Sequence, residues 1–173
     1  MIASVISKPG IRFTSVLKSI VCVAAIVCAL ITSTANASDN PKVDEAMASL
    51  KAETAKLGAP KLEGEEILFG TTKVSGDIAI VDAVSTKHSS TATIFAKKGT
   101  NFVRVATSVV KDGQRAVGSV LDPTGPAFAA VNQGQSFYGL VDILGKMYDT
   151  GYEPIKNEAG EVIGILYVGF LAE

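Results

Sequence analysis

The chain has 173 residues, 16 Lys+Arg against 17 Asp+Glu, and a hydrophobic fraction of 47%. A near-neutral balance with scattered basic residues lacks the electrostatic footprint that binding to nucleic acid requires, and it does not favour an anionic membrane surface. Both cysteines, Cys22 and Cys28, lie in one N-terminal apolar stretch, so the remainder carries no thiol for disulfides, nucleophilic catalysis or thiolate metal sites.

That N-terminal stretch differs from everything after it. Lys8, Arg12 and Lys18 are its charges, the apolar run Ile20 to Ile31 follows, and Ala35-Asn36-Ala37 offers small residues at an A-x-A site. The combination predicts a secretory signal peptide over residues 1–37, cleaved near Ala37. An uncleaved anchor is the alternative, but the apolar run is shorter than the roughly 20 residues that a spanning helix needs. Neither cysteine is preceded by a lipoprotein-type small-residue pattern. Cleavage leaves Ser38 to Glu173 with 13 basic against 17 acidic residues, a net charge of −4, and a periplasmic or secreted location. A chain of that size suits one domain.

Asn40-Pro41 is a helix start, with Asn as cap and Pro at the first helical position. Val43, Met47, Leu50, Thr54 and Leu57 then recur at steps of three and four, and Gly58 can close the helix. Residues 59–65 read as a connector, Ile67 to Thr71 as a strand, Ile78 to Val81 as an apolar patch, and the polar run Ser85 to Ser90 as a loop. From Thr91 onward, short apolar strands alternate with Gly-bearing turns. Thr91 to Ala96 and Phe102 to Val110 form a hairpin, Asp112-Gly113 is a tight-turn dipeptide, and Arg115 to Leu121 reads as the next strand. Asp122-Pro123-Thr124-Gly125-Pro126 opens a short helix that ends near Val131, before Asn132-Gln133-Gly134. Three strands follow at Phe137 to Leu144, Met147 to Ile155 and Val162 to Phe170. The fold class is α+β: five or six antiparallel strands, an N-terminal helix and a short inserted helix.

The order of these segments resembles a known family. Thr93-Ile94-Phe95, Phe102-Val103-Arg104-Val105-Ala106-Thr107, Gly113-Gln114-Arg115-Ala116-Val117-Gly118 and Leu121-Asp122-Pro123 are similar to the single-Cache sensor domains of the Cache 3/Cache 2 fusion type. So are Gly134-Gln135-Ser136-Phe137-Tyr138-Gly139, Asp142-Ile143-Leu144-Gly145, Tyr152-Glu153-Pro154-Ile155 and Gly164-Ile165-Leu166-Tyr167-Val168-Gly169. Each motif is weak alone; their order and spacing over roughly residues 66–170 make the likeness specific. The resemblance implies a PAS-like antiparallel sheet, a long helix across one face and a ligand pocket on the other. It divides the chain into the signal peptide, residues 38–65 as helix and connector, and residues 66–173 as one Cache domain. It also implies extracytoplasmic sensing of small organic molecules in signal transduction or chemotaxis. With no second spanning helix or signalling module after the last strand, a separate partner such as a membrane chemoreceptor or sensor kinase is expected to read the signal, and a homodimer is left open.

Strand alternation supplies candidate binding residues. Phe102, Arg104, Ala106 and Ser108 share one face of their strand, with Val103, Val105, Thr107 and Val109 on the other. A guanidinium among apolar neighbours needs an acceptor, which favours a ligand carboxylate; the alternatives are an internal ion pair with an acidic residue such as Asp142 or Asp82, or a solvated face. Arg115 on the neighbouring strand could provide a second cation, or be a solvated rim residue. Ser108 joins the site if Arg104 does. Tyr148, Thr150 and Tyr152 share a face, and Tyr138 shares its face with Asp142. Tyr138 and Tyr148 are candidate wall residues, with core packing the alternative. His88, the one histidine, has no companion at metal-ligand spacing, so no metal or cofactor is expected. No triad or acid pair calls for catalysis. The leading expectation is therefore a binder of a small organic acid. A structural or partner-binding protein with a vestigial pocket is the alternative.

Overall fold

The computed structural model describes residues 38–172; the expected signal peptide lies outside them. Helix α1 (Pro41–Ala55) begins as its sequence requires, with the Asn40 side chain accepting from the Lys42 amide at 3.1 Å. It buries Val43, Ala46, Met47, Leu50 and Thr54. Thr54 hides its hydroxyl by donating to the backbone carbonyls of Leu50 and Lys51, both at 3.0 Å. The chain turns away at Gly58, where φ is +115° and an added Cβ would stand 2.9 Å from the Gly70 Cα. Two glycines meeting backbone to backbone tie the end of α1 to the next hairpin.

That hairpin includes the segment expected to be a plain connector. Strands β1 (Pro60–Glu63), β2 (Glu66–Phe69) and β3 (Thr72–Lys73) form a small antiparallel sheet, with Leu62 opposite Ile67. The polar run expected as a loop instead belongs to a second helix, α2 (Ala79–His88). Only Val81 and Val84 of that helix are buried, so its polar face outweighs its apolar one in the sequence. It stops at Ser89 in the left-handed conformation, and the Ser90 amide bonds back to the Ser85 carbonyl.

The main sheet has five antiparallel strands: β4 (Thr91–Lys98), β5 (Asn101–Thr107), β8 (Phe137–Ile143), β9 (Lys146–Lys156) and β10 (Val162–Leu171). They run in the order β5-β4-β10-β9-β8. Between β5 and β8 lie the two-residue strands β6 (Val110–Lys111) and β7 (Gln114–Arg115), turned at Asp112-Gly113, and the short helix α3 (Pro126–Asn132). The expected strand from Arg115 to Leu121 is not formed as such. After β7 the chain turns at Ala116 to Ser119, with Gly118 at φ +82°, and runs irregularly along the edge of β5. The Arg104 amide donates to Ser119 O at 2.9 Å, the Gly118 amide to Arg104 O at 2.8 Å and the Leu121 amide to Phe102 O at 2.9 Å. This segment satisfies an edge that would otherwise be open.

Two apolar clusters lie on the two faces of the sheet. One joins α1, α2 and β2 to Ala92, Ile94, Ala96, Leu166 and Val168. The other joins α3, Ala116 and Leu121 to Phe95, Phe102, Tyr152, Ile165 and Tyr167. The α+β architecture with an N-terminal helix, an inserted short helix and a five-stranded antiparallel sheet is as the sequence predicts.

Candidate functional site

The pairing of β4 with β5 determines which side chains can meet. Ile94 pairs with Ala106 but Phe95 pairs with Arg104, so Val105 is an extra residue in β5 and the strand bulges there. The bulge reverses the alternation beyond it. Arg104 faces the α3 side, over Phe95, and Thr107 returns to that same side, where its hydroxyl meets that of Thr93 at 2.6 Å. Ser108 is turned to the helix-bearing face, where its Oγ lies 2.6 Å from Ser85 Oγ and accepts from the Ala92 amide at 2.9 Å. The expectation that Ser108 stands beside Arg104 fails because it assumed an unbroken strand.

On the α3 side, a cavity of about 450 Å3 opens between the loop leading into α3, the start of α3 and the edge strand β8. Leu121, Ala127, Val141 and Ile143 contribute apolar wall, and Val120 and Leu144 are partly exposed on it. Its polar wall includes Arg104, Tyr152, Asp122 and Asp142. Arg104 is 4% exposed and Tyr152 fully buried. The Arg104 guanidinium donates once through Nη1, to Ser119 Oγ at 2.8 Å, and its central carbon lies 4.9 Å from the Phe95 ring centre. Its Nε has no partner, and neither has the Tyr152 hydroxyl. Two buried donors without acceptors in residues that line one cavity are uncommon, because each desolvated polar group costs free energy until it is bonded.

Burial pulls the Arg104 guanidinium below its ordinary value, and the nearby Tyr152 and Tyr167 act in the opposite sense. Burial pushes the Tyr152 phenol well above its ordinary value, so it stays protonated and able to donate. At Asp122, bonds from the Thr124 hydroxyl at 2.7 Å and amide at 2.9 Å hold the carboxyl below its usual range, and it stays ionised. Asp142 accepts from the Gly145 amide at 2.8 Å. Neither aspartate bonds to Arg104, so the internal ion pair with Asp142 is not made.

The other candidates are placed elsewhere. Arg115 sits in the β6–β7 ribbon, paired to β6 rather than to β5, and donates to both oxygens of Asp82 at 2.7 and 2.9 Å and to Thr107 O at 2.8 Å. Tyr138 lies on the α1 side and donates to Glu153 at 2.7 Å, which also takes Lys51 at 2.7 Å. Tyr148 is on the Tyr152 side and packs against the second cluster, but does not line the cavity. Tyr152 was absent from the candidate set; its place two residues from Thr150, on the same face as Tyr148, was the signal for it. Asp122 read as a turn residue only. His88 bonds to Ser49 Oγ at 2.8 Å, and among the described residues no group of three or more His, Cys, Asp or Glu could hold a metal. A second cavity of about 500 Å3 lies near the end of α1; of its three charged residues, Lys51, Glu153 and Lys156, the first two are paired with each other at 2.7 Å.

The sheet with a helix layer on one face and a partly polar cavity on the other is the arrangement that the sequence resemblance implied, and the family model for the Cache 3/Cache 2 fusion domain matches residues 27–173. The chain belongs to the Cache 3/Cache 2 fusion domain family. Domains of this family are extracytoplasmic sensor domains. Among solved structures, the chain is similar to the E. coli DcuS sensor domain at 15% identity and TM-score 0.46, over 76% of this chain and 92% of that one. It is also similar to a methyl-accepting chemotaxis protein X at 16% identity and TM-score 0.44, over 76% of this chain and 56% of that one. No curated protein sequence matches significantly. Among the described residues of this Cache chain, no helix is long and apolar enough to cross a membrane.

Proposed function

We propose that this Cache protein binds a small organic acid outside the cytoplasm, with Arg104 holding the carboxylate and Tyr152 donating to it. The observation that supports this most is the pair of unpartnered buried donors, Arg104 Nε and Tyr152 Oη, carried by two residues that line one cavity. A carboxylate offers about four lone-pair sites and matches the planar donor array of a guanidinium. It would relieve both orphaned groups and neutralise a cation that burial makes costly. In this reading residues 1–37 are a signal peptide, residues 38–65 supply the covering helix and connector, and residues 66–173 form the sensing domain. A membrane chemoreceptor or sensor kinase reads the bound state.

The test is a thermal-shift screen of the purified protein against small carboxylates, amino acids, purines and polyamines, after unfolding and refolding to remove any co-purified ligand. A saturable rise in melting temperature with carboxylates, lost in Arg104→Ala while that variant remains folded, is expected. A flat screen of well-folded protein would sink the reading in favour of a partner-binding protein with a vestigial pocket.

A further inference from the structure

We propose that the cavity selects ligands with a single carboxylate and rejects dicarboxylates, with Asp122 as the residue that enforces the choice. This rests on Arg104 as the carboxylate anchor and adds what the far end of the ligand meets. Of the charged residues lining the cavity, Arg104 is the one cation among the described residues and Asp122 and Asp142 are the anions, but Asp142 alternates with Val141 and Ile143 along the unbroken β8, so its carboxylate is turned to the other face of the sheet. The charges of Arg104 and Asp122 therefore balance before any ligand enters. One carboxylate is taken up by the Arg104 guanidinium and the Tyr152 hydroxyl, and no cation remains for a second.

The second arginine that a dicarboxylate would need is held away from the cavity. Arg115 is clamped to both oxygens of Asp82 and to the Thr107 carbonyl. Asp122 is fixed in its charged form by two bonds to one of its oxygens from Thr124. Its other oxygen lies towards Gly125, which also lines the cavity. The apolar part of the wall includes Leu121, Ala127, Val141 and Ile143. A methyl group fits such a wall, whereas a second carboxylate would be desolvated against it and repelled by Asp122.

The experiment is isothermal titration of the refolded protein with two matched pairs, propionate with malonate and butyrate with succinate. The members of each pair differ by a terminal methyl or an added carboxylate. The monocarboxylate of each pair is expected to bind at least about tenfold more tightly, the scale of one like-charge repulsion at partly screened range. In Asp122→Asn the side chain keeps an oxygen acceptor for the Thr124 amide, and the preference is expected to narrow. Succinate binding as tightly as butyrate to the unaltered protein, with both lost in Arg104→Ala, would overturn the selectivity and leave the anchor standing. If neither pair bound at all, the anchor would fall and the selectivity with it. A preference that persists unchanged in Asp122→Asn would remove Asp122 from this role.

Discussion

Arg104 and Phe95 lie opposite each other in the β4–β5 register, with the guanidinium carbon 4.9 Å from the ring centre. The ring offers its negative face to the cation, a contact of about 0.5–2 kcal/mol depending on desolvation. Together with the one bond to Ser119, it meets only part of what a buried guanidinium needs. The remaining donor capacity includes Nε, whose residue lines the cavity. A protein selected only for stability has no evident reason to keep such a group, since buried charges without ionic partners are costly.

The first prediction concerns that cost. Arg104→Met replaces the cation with an unbranched apolar chain that can pack over Phe95 and fill irregular space. The melting temperature without ligand is expected to stay level or rise, because no carboxylate is left stranded by the change. Carboxylate affinity is expected to fall on the order of a hundredfold, as one or two charge-assisted bonds of about 1.5–3 kcal/mol each are lost. Calorimetric melting and titration of the same preparation separate the two effects. A large drop in unliganded stability would mean that the arginine is a structural strut.

Tyr152→Phe tests the second orphaned donor. The hydroxyl has no protein partner, and the ring packs 4.9 Å from Tyr167 and 6.2 Å from Phe137, contacts that phenylalanine retains. Unliganded stability is expected to change by less than about 0.5 kcal/mol, as for a substitution that strands nothing. Carboxylate affinity is expected to weaken by about tenfold, the equivalent of one hydrogen bond to a charged acceptor. Unchanged affinity would place the ligand away from Tyr152.

Ser108 gives a prediction of the opposite kind. Its hydroxyl joins β5 to Ser85 on α2 and accepts from the Ala92 amide, on the face away from the cavity. Ser108→Ala is expected to cost about 1 kcal/mol of stability and to leave carboxylate affinity as it was. Denaturant unfolding and titration check both halves. A selective loss of affinity would contradict the turn that the Val105 bulge imposes.

That bulge shows where sequence information stopped. Strands β4, β5, β8, β9 and β10 were legible because each is bounded by turn residues and carries a run of apolar side chains. Arg104 was legible as a lone charge amid apolar neighbours. The extra residue was not, since Val105 and Ala106 both suit an apolar face and the register slip depends on pairing with Ile94 and Phe95. Helix α2 was hidden for another reason: two buried valines in ten residues leave a mostly polar pattern, and packing against α1 and β4 supplies what periodicity lacks. Arg115 stood at the right distance along the chain to serve a ligand. Its commitment to Asp82, 33 residues earlier in sequence, is a tertiary fact with no local signature.

The last prediction follows from the buried phenols. Tyr138, Tyr152 and Tyr167 are all raised above the ordinary tyrosine value of 10.0, burial being the largest cause in each. The native state therefore keeps these protons at a pH where the unfolded chain releases them. Each group contributes stability that is complete below 10.0 and is lost as pH rises from there towards its native value. Melting temperature is expected to be level from neutral pH to about 9, then to fall steeply above about 10, near the unperturbed tyrosine value. Tyr152→Phe removes one contributor and is expected to flatten the decline while leaving the neutral plateau in place. Circular-dichroism melts at closely spaced alkaline pH values, on both proteins, measure the difference. Superimposable alkaline limbs would mean that Tyr152 ionises as freely in the folded protein as in the unfolded chain.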